Sequence, residues 1–174
     1  VQIVRADFRW FTENEDGTYN RRYRKLSSDD SDYNRVINPK HEPRVMEFIM
    51  NTWTGIYETA FIRKNDLRHN ETPGASYQDN GFYFTTMAKC DRVVFINRPY
   101  YMYRKDNPNA SVQDNTDKKL YCITDEFRFI RDWMEKNPDT KCFEAEYEKL
   151  RLNNFILSYR RATNKARPKY LRHM

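Results

Sequence analysis

Residues 53–67 read WTGIYETAFIRKNDL, residues 74–82 read GASYQDNGF and residues 93–104 read VVFINRPYYMYR. The β-branched and aromatic residues at the two ends of this stretch favour strands, and the apolar spacing between them favours helices. The stretch therefore predicts a strand, a helix, a loop, a second helix and a strand that bends into a last short strand. We expect the rest of the chain to be organised around this unit.

Asp79 follows the loop and precedes the apolar helical pattern of Phe82, Tyr83, Met87 and Ala88. An Asp at this point is a good helix N-cap, because its carboxylate accepts hydrogen bonds from the free amides of the first turn. A helix N-terminus also favours the charged form, so we expect Asp79 to be ionised at neutral pH. The same geometry makes Asp79 a candidate general base at the rim of the loop. On spacing alone, a plain N-cap is the commoner role.

The length and composition limit the kinds of protein that this chain can be. A length of 174 residues suits one domain with a hydrophobic core, and the formal net charge is +6. No apolar run approaches the roughly 20 residues of a membrane-spanning helix. The three cysteines and three histidines are isolated, which predicts neither a disulfide framework nor a metal site and favours a cytoplasmic protein. Because the chain begins with Val1, we expect it to be part of a longer protein.

The segments before the central unit predict a hairpin and a loop. Residues 1–11 have the pattern of a half-buried strand, and the Asp-Gly turn at 14–17 leads to a possible second strand. Residues 27–43 are polar and predict a mobile loop, after which Pro43 suits the start of a short helix.

After the central unit, apolar residues at helical spacing predict two helices, over residues 117–136 and 141–162. The fold class predicted for the whole chain is α/β. We divide it into an α/β part over residues 1–116 and a C-terminal helical extension with a basic tail over residues 117–174.

Aromatic residues in the central unit are candidates for ligand binding. Trp53 and the cluster Tyr100, Tyr101 and Tyr103 offer flat apolar faces with polar edges, which suit sugar rings and suit a protein core equally well. Arg104 ends the last strand, where its guanidinium could clamp a phosphate or a carboxylate; a solvated strand end is the alternative.

One acidic pair has the D-x-D pattern that holds a divalent ion against a nucleotide diphosphate. Asp30-Ser31-Asp32 follows RRYRKLSS at residues 21–28, however, whereas such a motif normally ends a hydrophobic strand. We therefore do not assign metal binding to this pair. Four isolated glycines also exclude a glycine-rich phosphate loop.

Three groups of residues, taken in order, resemble the second half of the family 2 glycosyltransferases. They are W-x-x-I-Y at 53–57 with Phe61-Ile62 beyond it, YQDNGF at 77–82, and VVFINRPYYMYR at 93–104 with Ala110-Ser111-Val112 beyond it. In that family a Trp-containing strand precedes a Glu-Asp motif, and a strand, a Pro-Tyr-x-Tyr-Arg segment and a Ser follow. Residues 1–11 resemble the strand after the donor-binding half, so the resemblance covers roughly residues 1–112.

The resemblance implies a partial GT-A-like fold, with a mixed sheet, flanking helices and a C-terminal helical pair, which as an isolated fragment is α+β. Asp79 matches the catalytic base of the family. Gln78 replaces the usual Glu, and Gly55 stands where many members have Lys. The acceptor-binding residues that the resemblance implies are Trp53, Gln78, Tyr103, Arg104 and Ser111.

The implied activity is transfer of a sugar, with inversion, from a nucleotide-diphospho-sugar donor to a glycan or lipid-linked acceptor in bacterial surface polysaccharide synthesis. The resemblance also implies a divalent metal, Mg²⁺ or Mn²⁺, whose ligands belong to the donor-binding half and not to this chain. We therefore expect the isolated chain to be inactive.

The alternative is a non-catalytic basic module that binds nucleic acid or an anionic surface. From residue 151 to residue 174 there are seven Lys or Arg residues and no Asp or Glu. For this tail, peripheral contact with the inner face of a membrane is favoured over nucleic-acid binding, and a solvated helix face followed by a frayed end is the alternative. The basic residues of the tail are Arg151, Arg160, Arg161, Lys165, Arg167, Lys169 and Arg172.

Overall fold

The computed structural model describes residues 1–72, 77–110 and 117–172, with the backbone alone for residues 117–120. The strands are β1 (Ile3–Glu13), β2 (Tyr19–Arg24), β3 (Val36–Ile37), β4 (Gly55–Tyr57) and β5 (Val93–Arg104). The helices are α1 (Thr59–Lys64), α2 (Gln78–Lys89), α3 (Asp117–Lys136), α4 (Glu144–Arg161) and α5 (Arg167–Leu171). Short 3₁₀ helices cover Asp30–Asp32, Pro43–Glu47 and Pro138–Phe143.

The strands form one five-stranded mixed sheet in the order β2-β1-β5-β3, and β4 pairs with β1. β1 is antiparallel to β2 and β4 and parallel to β5, whereas β3 is antiparallel to β5. The predicted hairpin of β1 and β2 is confirmed, with Glu13 opposite Tyr19 and with Gly17 in the turn at a φ of 78°. The chain is thus a mixed α/β protein with helices flanking the sheet, as predicted at that level.

The long central strands bend at one place. Between Ala6 and Phe8 the register of β1 against β5 shifts, so that residues 97–100 of β5 are left out of the ladder. Pro99 lies in this stretch and has no N–H to donate to a neighbouring strand. The fully buried carboxylate of Asp7 lies at the same level of β1. This irregularity corresponds to the bend that the sequence predicts within the last strand.

One hydrophobic core joins the sheet to the C-terminal helices. Its buried members include Ile3 in β1, Phe84 in α2, Phe127 in α3, Phe155 in α4 and Tyr170 in α5. The α/β part and the helical extension that we distinguished from the sequence therefore share this core.

Part of the segment predicted as a mobile loop is regular and buried, so that prediction was wrong for these residues. Between residues 27 and 43 the chain forms a 3₁₀ turn and the edge strand β3, and Asp32, Tyr33 and Ile37 are buried. A strand of two residues is too short to show a hydrophobic period, and a 3₁₀ turn has no apolar stripe.

Other elements of the structure differ from the prediction in type, in their first residue or in being absent from it. The predicted short helix after Pro43 is a 3₁₀ helix, the first strand of the central unit begins at Gly55, and α5 was not predicted. Within the part of the chain that the structure describes, no helix has the length and apolar character needed to cross a membrane.

Candidate active site

Asp79 lies in the first turn of α2 but is not its N-cap, so the predicted cap was misplaced by two residues. The N-cap is Tyr77, with a φ of 66°, and Asp79 is the second helical residue. The helix starts earlier because Tyr77 adopts the left-handed conformation and turns the chain directly into Gln78. The prediction thus placed Asp79 correctly at a helix start and wrongly at the cap.

The environment of Asp79 opposes its charge more than we expected. Hydrogen bonds from the backbone amides of Asp79 and Asn80 and the charge of His69 lower the pKa of the Asp79 carboxyl, but burial raises its pKa more. The net direction is upward, opposite to the lowering that the helix N-terminus alone predicts. A carboxylate with a raised pKa is a stronger base.

The charge of Asp79 acts on a glutamate that we did not single out from the sequence. Glu126 belongs to α3, and its side chain is 1% exposed. One carboxyl oxygen accepts a hydrogen bond from the Gly81 amide at 2.9 Å, and the other accepts one from Asn70 Nδ2 at 3.0 Å. Glu126 therefore ties the first turns of α2 to Asn70, in the segment that ends at residue 72.

Gly81 makes room for this contact. A Cβ atom at position 81 would lie 2.1 Å from Glu126 Oε1 and 3.0 Å from the ring of Phe129. No real Cβ atom tolerates the first distance, so only a glycine allows the glutamate to reach the backbone of α2.

Burial raises the pKa of Glu126 to about 7, while the hydrogen bonds from Asn70 and Gly81 lower it and the negative charge of Asp79 raises it. Among the described side chains, no Lys or Arg forms an ion pair with Asp79 or Glu126. The two carboxyl groups thus form a pair in which Glu126 can hold a proton near neutral pH and the charge of Asp79 adds to the rise of its pKa. Such a pair can accept and release a proton during a reaction.

A cleft of about 300 Å³ includes Asn70, the residue that donates a hydrogen bond to Glu126, although neither Asp79 nor Glu126 lines it. His69 and Asn70 line it, together with the rings of Phe129 and Trp133. The imidazole of His69 stacks on Phe82 in α2 at 4.2 Å between ring centroids. The cleft therefore combines aromatic faces with polar groups, and Asn70 connects it to Glu126.

Trp53 and Tyr103 meet in an aromatic cluster against the sheet. Their rings are stacked at 5.1 Å between centroids, and Trp53 also contacts Tyr101 at 4.4 Å and the edge of Phe8 at 4.9 Å. Both are half-buried. The structure thus joins these two predicted acceptor-binding residues, and the packing explains their positions as well as a ligand would.

A buried arginine holds the segment that carries Trp53. Arg5 in β1 is fully buried and donates hydrogen bonds to the carbonyl oxygens of Ile49 at 2.6 Å and Asn51 at 2.9 Å and to Thr54 Oγ1 at 3.1 Å. Its guanidinium also lies 4.5 Å from the ring centroid of Tyr83. Arg5 therefore anchors the irregular segment on both sides of Trp53.

The other predicted site residues lie elsewhere. Gln78 precedes Asp79 in α2 and donates a hydrogen bond to Thr72 Oγ1 at 2.9 Å. Arg104, at the end of β5, forms ion pairs with Glu13 at 2.7 Å and Asp106 at 2.9 Å, so its guanidinium is already engaged by carboxylates. Ser111 lies outside the described residues, as does the loop segment Gly74-Ala75-Ser76.

The carboxylates of the D-x-D pair point to different cations. Asp30 is exposed and pairs with Lys25 at 2.6 Å, whereas Asp32 is fully buried and accepts hydrogen bonds from both terminal nitrogens of Arg44. Over the described residues, no three or more His, Cys, Asp or Glu side chains come together as a group that could hold a metal ion.

Glu126 left a signal in the sequence. The apolar stripe of α3 includes Ile123, Phe127 and Ile130, and Glu126 is three residues after the first and four before the last. A glutamate at that spacing faces the core, where an ionisable side chain needs a specific partner. The partner, Gly81, is 45 residues away along the chain and could not be named from the pattern.

Comparison with known proteins adds no further constraint: neither a protein-family model nor a curated protein matches the chain.

Proposed function

We propose that the chain is the acceptor-side part of a family 2 type glycosyltransferase with a GT-A-like fold, and that Asp79 is its general base. The observation that carries this proposal is the carboxyl pair of Asp79 and Glu126 at the start of α2, half-buried and fully buried respectively. Burial raises the pKa of both groups, which makes their ionised forms stronger bases than a solvated carboxylate.

The reaction is an inverting displacement. Asp79 takes the proton of an acceptor hydroxyl as its oxygen attacks the anomeric carbon of the donor sugar. A bond forms between that oxygen and the anomeric carbon, and the bond from the anomeric carbon to the diphosphate oxygen breaks. The nucleoside diphosphate leaves with the electron pair, and the proton stays on the carboxyl pair.

Several features support the assignment of this chain to the acceptor-binding part of the transferase. The cleft next to Asn70 offers the rings of Phe129 and Trp133, and sugar rings pack against aromatic faces. The sheet is mixed, as a GT-A-like fold requires. The donor site and the divalent metal belong, in this proposal, to a donor-binding half outside the chain, and we assign no step to the metal. The acceptor is a glycan or a lipid-linked sugar on the cytoplasmic side of the membrane.

The test is Asp79→Asn in the transferase that includes the donor-binding half. We expect turnover to fall by about a hundred- to ten-thousand-fold, because the asparagine amide cannot accept the proton. Affinity for the nucleotide-sugar should stay unchanged, because Asp79 acts on the acceptor. Turnover is measured by release of nucleoside diphosphate, and donor affinity by titration calorimetry.

Asp125→Asn is the matched control, since Asp125 is exposed and lies next to Glu126 in α3. We expect this variant to behave as the unsubstituted enzyme. If Asp79→Asn kept its turnover within a factor of about two, Asp79 would be a structural residue and not the base.

A further inference from the structure

The outer face of α4 combines exposed apolar and basic side chains. Leu152, Ile156 and Leu157 are 52%, 38% and 51% exposed, and Arg160 and Arg161 on the next turn are exposed as well. We call these five residues the α4 outer face. Spacings of four residues place Leu152, Ile156 and Arg160 in one row and Leu157 and Arg161 in a second row. Both rows lie away from the buried Phe155 and Ser158.

The apolar members of this face are not explained by packing. The core side of α4 is already occupied by Tyr147, Leu150 and Phe155, which are buried. Three large apolar side chains on the opposite side are in contact with water, with the exposed Asn153 between them. Large apolar side chains grouped at a surface mark an interaction site more often than single ones do.

In the sequence after Arg151 the charged residues have one sign. The ion pairs of α4 lie in its earlier turns, where Lys149 pairs with Glu47 at 2.5 Å and Arg151 pairs with Glu148 at 2.7 Å. Beyond residue 151 the sequence contains no Asp or Glu, and the exposed side chains include Arg160, Arg161 and Lys165. The apolar side chains of this face thus continue directly into a basic surface.

We propose that the α4 outer face docks on an anionic phospholipid surface, with the apolar side chains at the level of the lipid headgroups and the arginines on lipid phosphates. An amphipathic helix with large apolar residues and flanking basic residues binds a membrane interface in this way. This proposal does not depend on the reaction proposed for Asp79. It assigns the membrane contact that we predicted for the basic tail to one face of α4.

Other occupants fit the face less well. A second copy of the chain would bring arginines against arginines, which is repulsive. Single-stranded nucleic acid would use the basic residues and exposed aromatic rings. On this part of the chain the exposed large side chains are aliphatic, and the ring of Tyr159 is covered by Arg167 at 5.3 Å.

The experiment is co-sedimentation of the full chain with vesicles of phosphatidylglycerol and phosphatidylcholine at low salt, with pure phosphatidylcholine vesicles as the neutral reference. We expect binding to the anionic vesicles alone, weakening as salt rises. The double variant Arg160→Gln with Arg161→Gln should lower the partition coefficient by roughly tenfold or more. The triple variant Leu152→Ser, Ile156→Ser and Leu157→Ser should lower it by a similar factor, because the apolar contact is lost.

Matched controls come from the opposite end of the chain. Ile56 in β4 is 76% exposed, and Arg21 and Arg22 in β2 are exposed. Ile56→Ser, and Arg21→Gln with Arg22→Gln, should leave vesicle binding unchanged. Circular dichroism of every variant checks that the fold is kept, which we expect because all the substituted residues are exposed.

Two results would overturn the proposal. One is vesicle binding that the α4 variants and the control variants reduce equally, or that neutral vesicles support equally well. The other is a single-stranded RNA probe that displaces the vesicles and binds the triple serine variant as tightly as the unsubstituted chain, because the face would then be a nucleic-acid site.

Discussion

Two carboxylates of this protein are equally buried but are contacted by different chemical groups. Asp32, in the 3₁₀ turn before β3, is 0% exposed, and Glu126, in α3, is 1% exposed. Asp32 faces the guanidinium of Arg44 and the hydroxyl of Ser27. Glu126 accepts hydrogen bonds from two amide N–H groups, and the negative charge of Asp79 acts on it.

The comparison teaches that the neighbours of a buried acid, more than its burial, decide its role. A guanidinium compensates the charge of Asp32, so that acid is a structural tie between two segments. Amide groups compensate the charge of Glu126 only in part, so burial keeps its pKa high. Asp32 therefore stabilises the fold through its ion pair, whereas Glu126 can exchange a proton.

The largest stability effect that we expect from this difference depends on pH. The pKa of Glu126 is about 7 in the folded chain against an ordinary value of 4.5, so the folded state binds this proton more tightly than the unfolded state. Its contribution to stability is therefore present below pH 4.5 and is lost as pH rises to 7. At roughly 1.4 kcal/mol per pH unit, the full loss is about 3 kcal/mol.

Urea unfolding of the unsubstituted chain and of Glu126→Gln between pH 4.5 and pH 8 measures this effect. Because glutamine stays neutral, the variant should gain in stability relative to the unsubstituted chain as pH rises. Glu135→Gln, at an exposed position of the same helix, is the control and should show no such trend. Parallel curves for Glu126→Gln and the unsubstituted chain would mean that the buried glutamate carries no proton in this range.

A smaller effect is expected at the other carboxylate. Asp32→Asn removes the charge that Arg44 and Ser27 contact but keeps an amide oxygen that still accepts hydrogen bonds, so we expect a net loss of about 2 kcal/mol at neutral pH. The neighbouring exposed Asp30 pairs with Lys25, and Asp30→Asn should cost less than about 0.5 kcal/mol. If the two substitutions lowered the free energy of unfolding by the same amount, the ion pair of Asp32 with Arg44 would not be the structural tie that we describe.

The contrast between the two sites also shows what the sequence can and cannot predict. The alternation in residues 1–11 and the apolar stripes of α3 and α4 predict the main elements, because each depends on neighbours within a few residues. The contacts of Asp32 with Arg44 and of Glu126 with Gly81 depend on how distant segments meet. The sequence therefore locates Asp79 at a helix start but does not reveal the acid that faces it.

The elements that the sequence predicted wrongly, β3 and the start of α2, also depend on features that a local pattern does not show. β3 exists because Val36 and Ile37 pair with Val94 and Val93 of β5, far along the chain. The cap of α2 moved to Tyr77 because the backbone there takes a left-handed turn, which a tyrosine rarely adopts.

The carboxyl titration of Glu126 by NMR tests the central claim most directly, since it reports the proton itself. The side-chain carboxyl carbon is assigned by its disappearance in Glu126→Gln and is followed from pH 3 to pH 9. We predict an apparent pKa of about 7, which falls when Asp79→Asn removes the neighbouring charge. An apparent pKa near the ordinary 4.5, unchanged by Asp79→Asn, would contradict the account, because the two acids would then be solvated and independent.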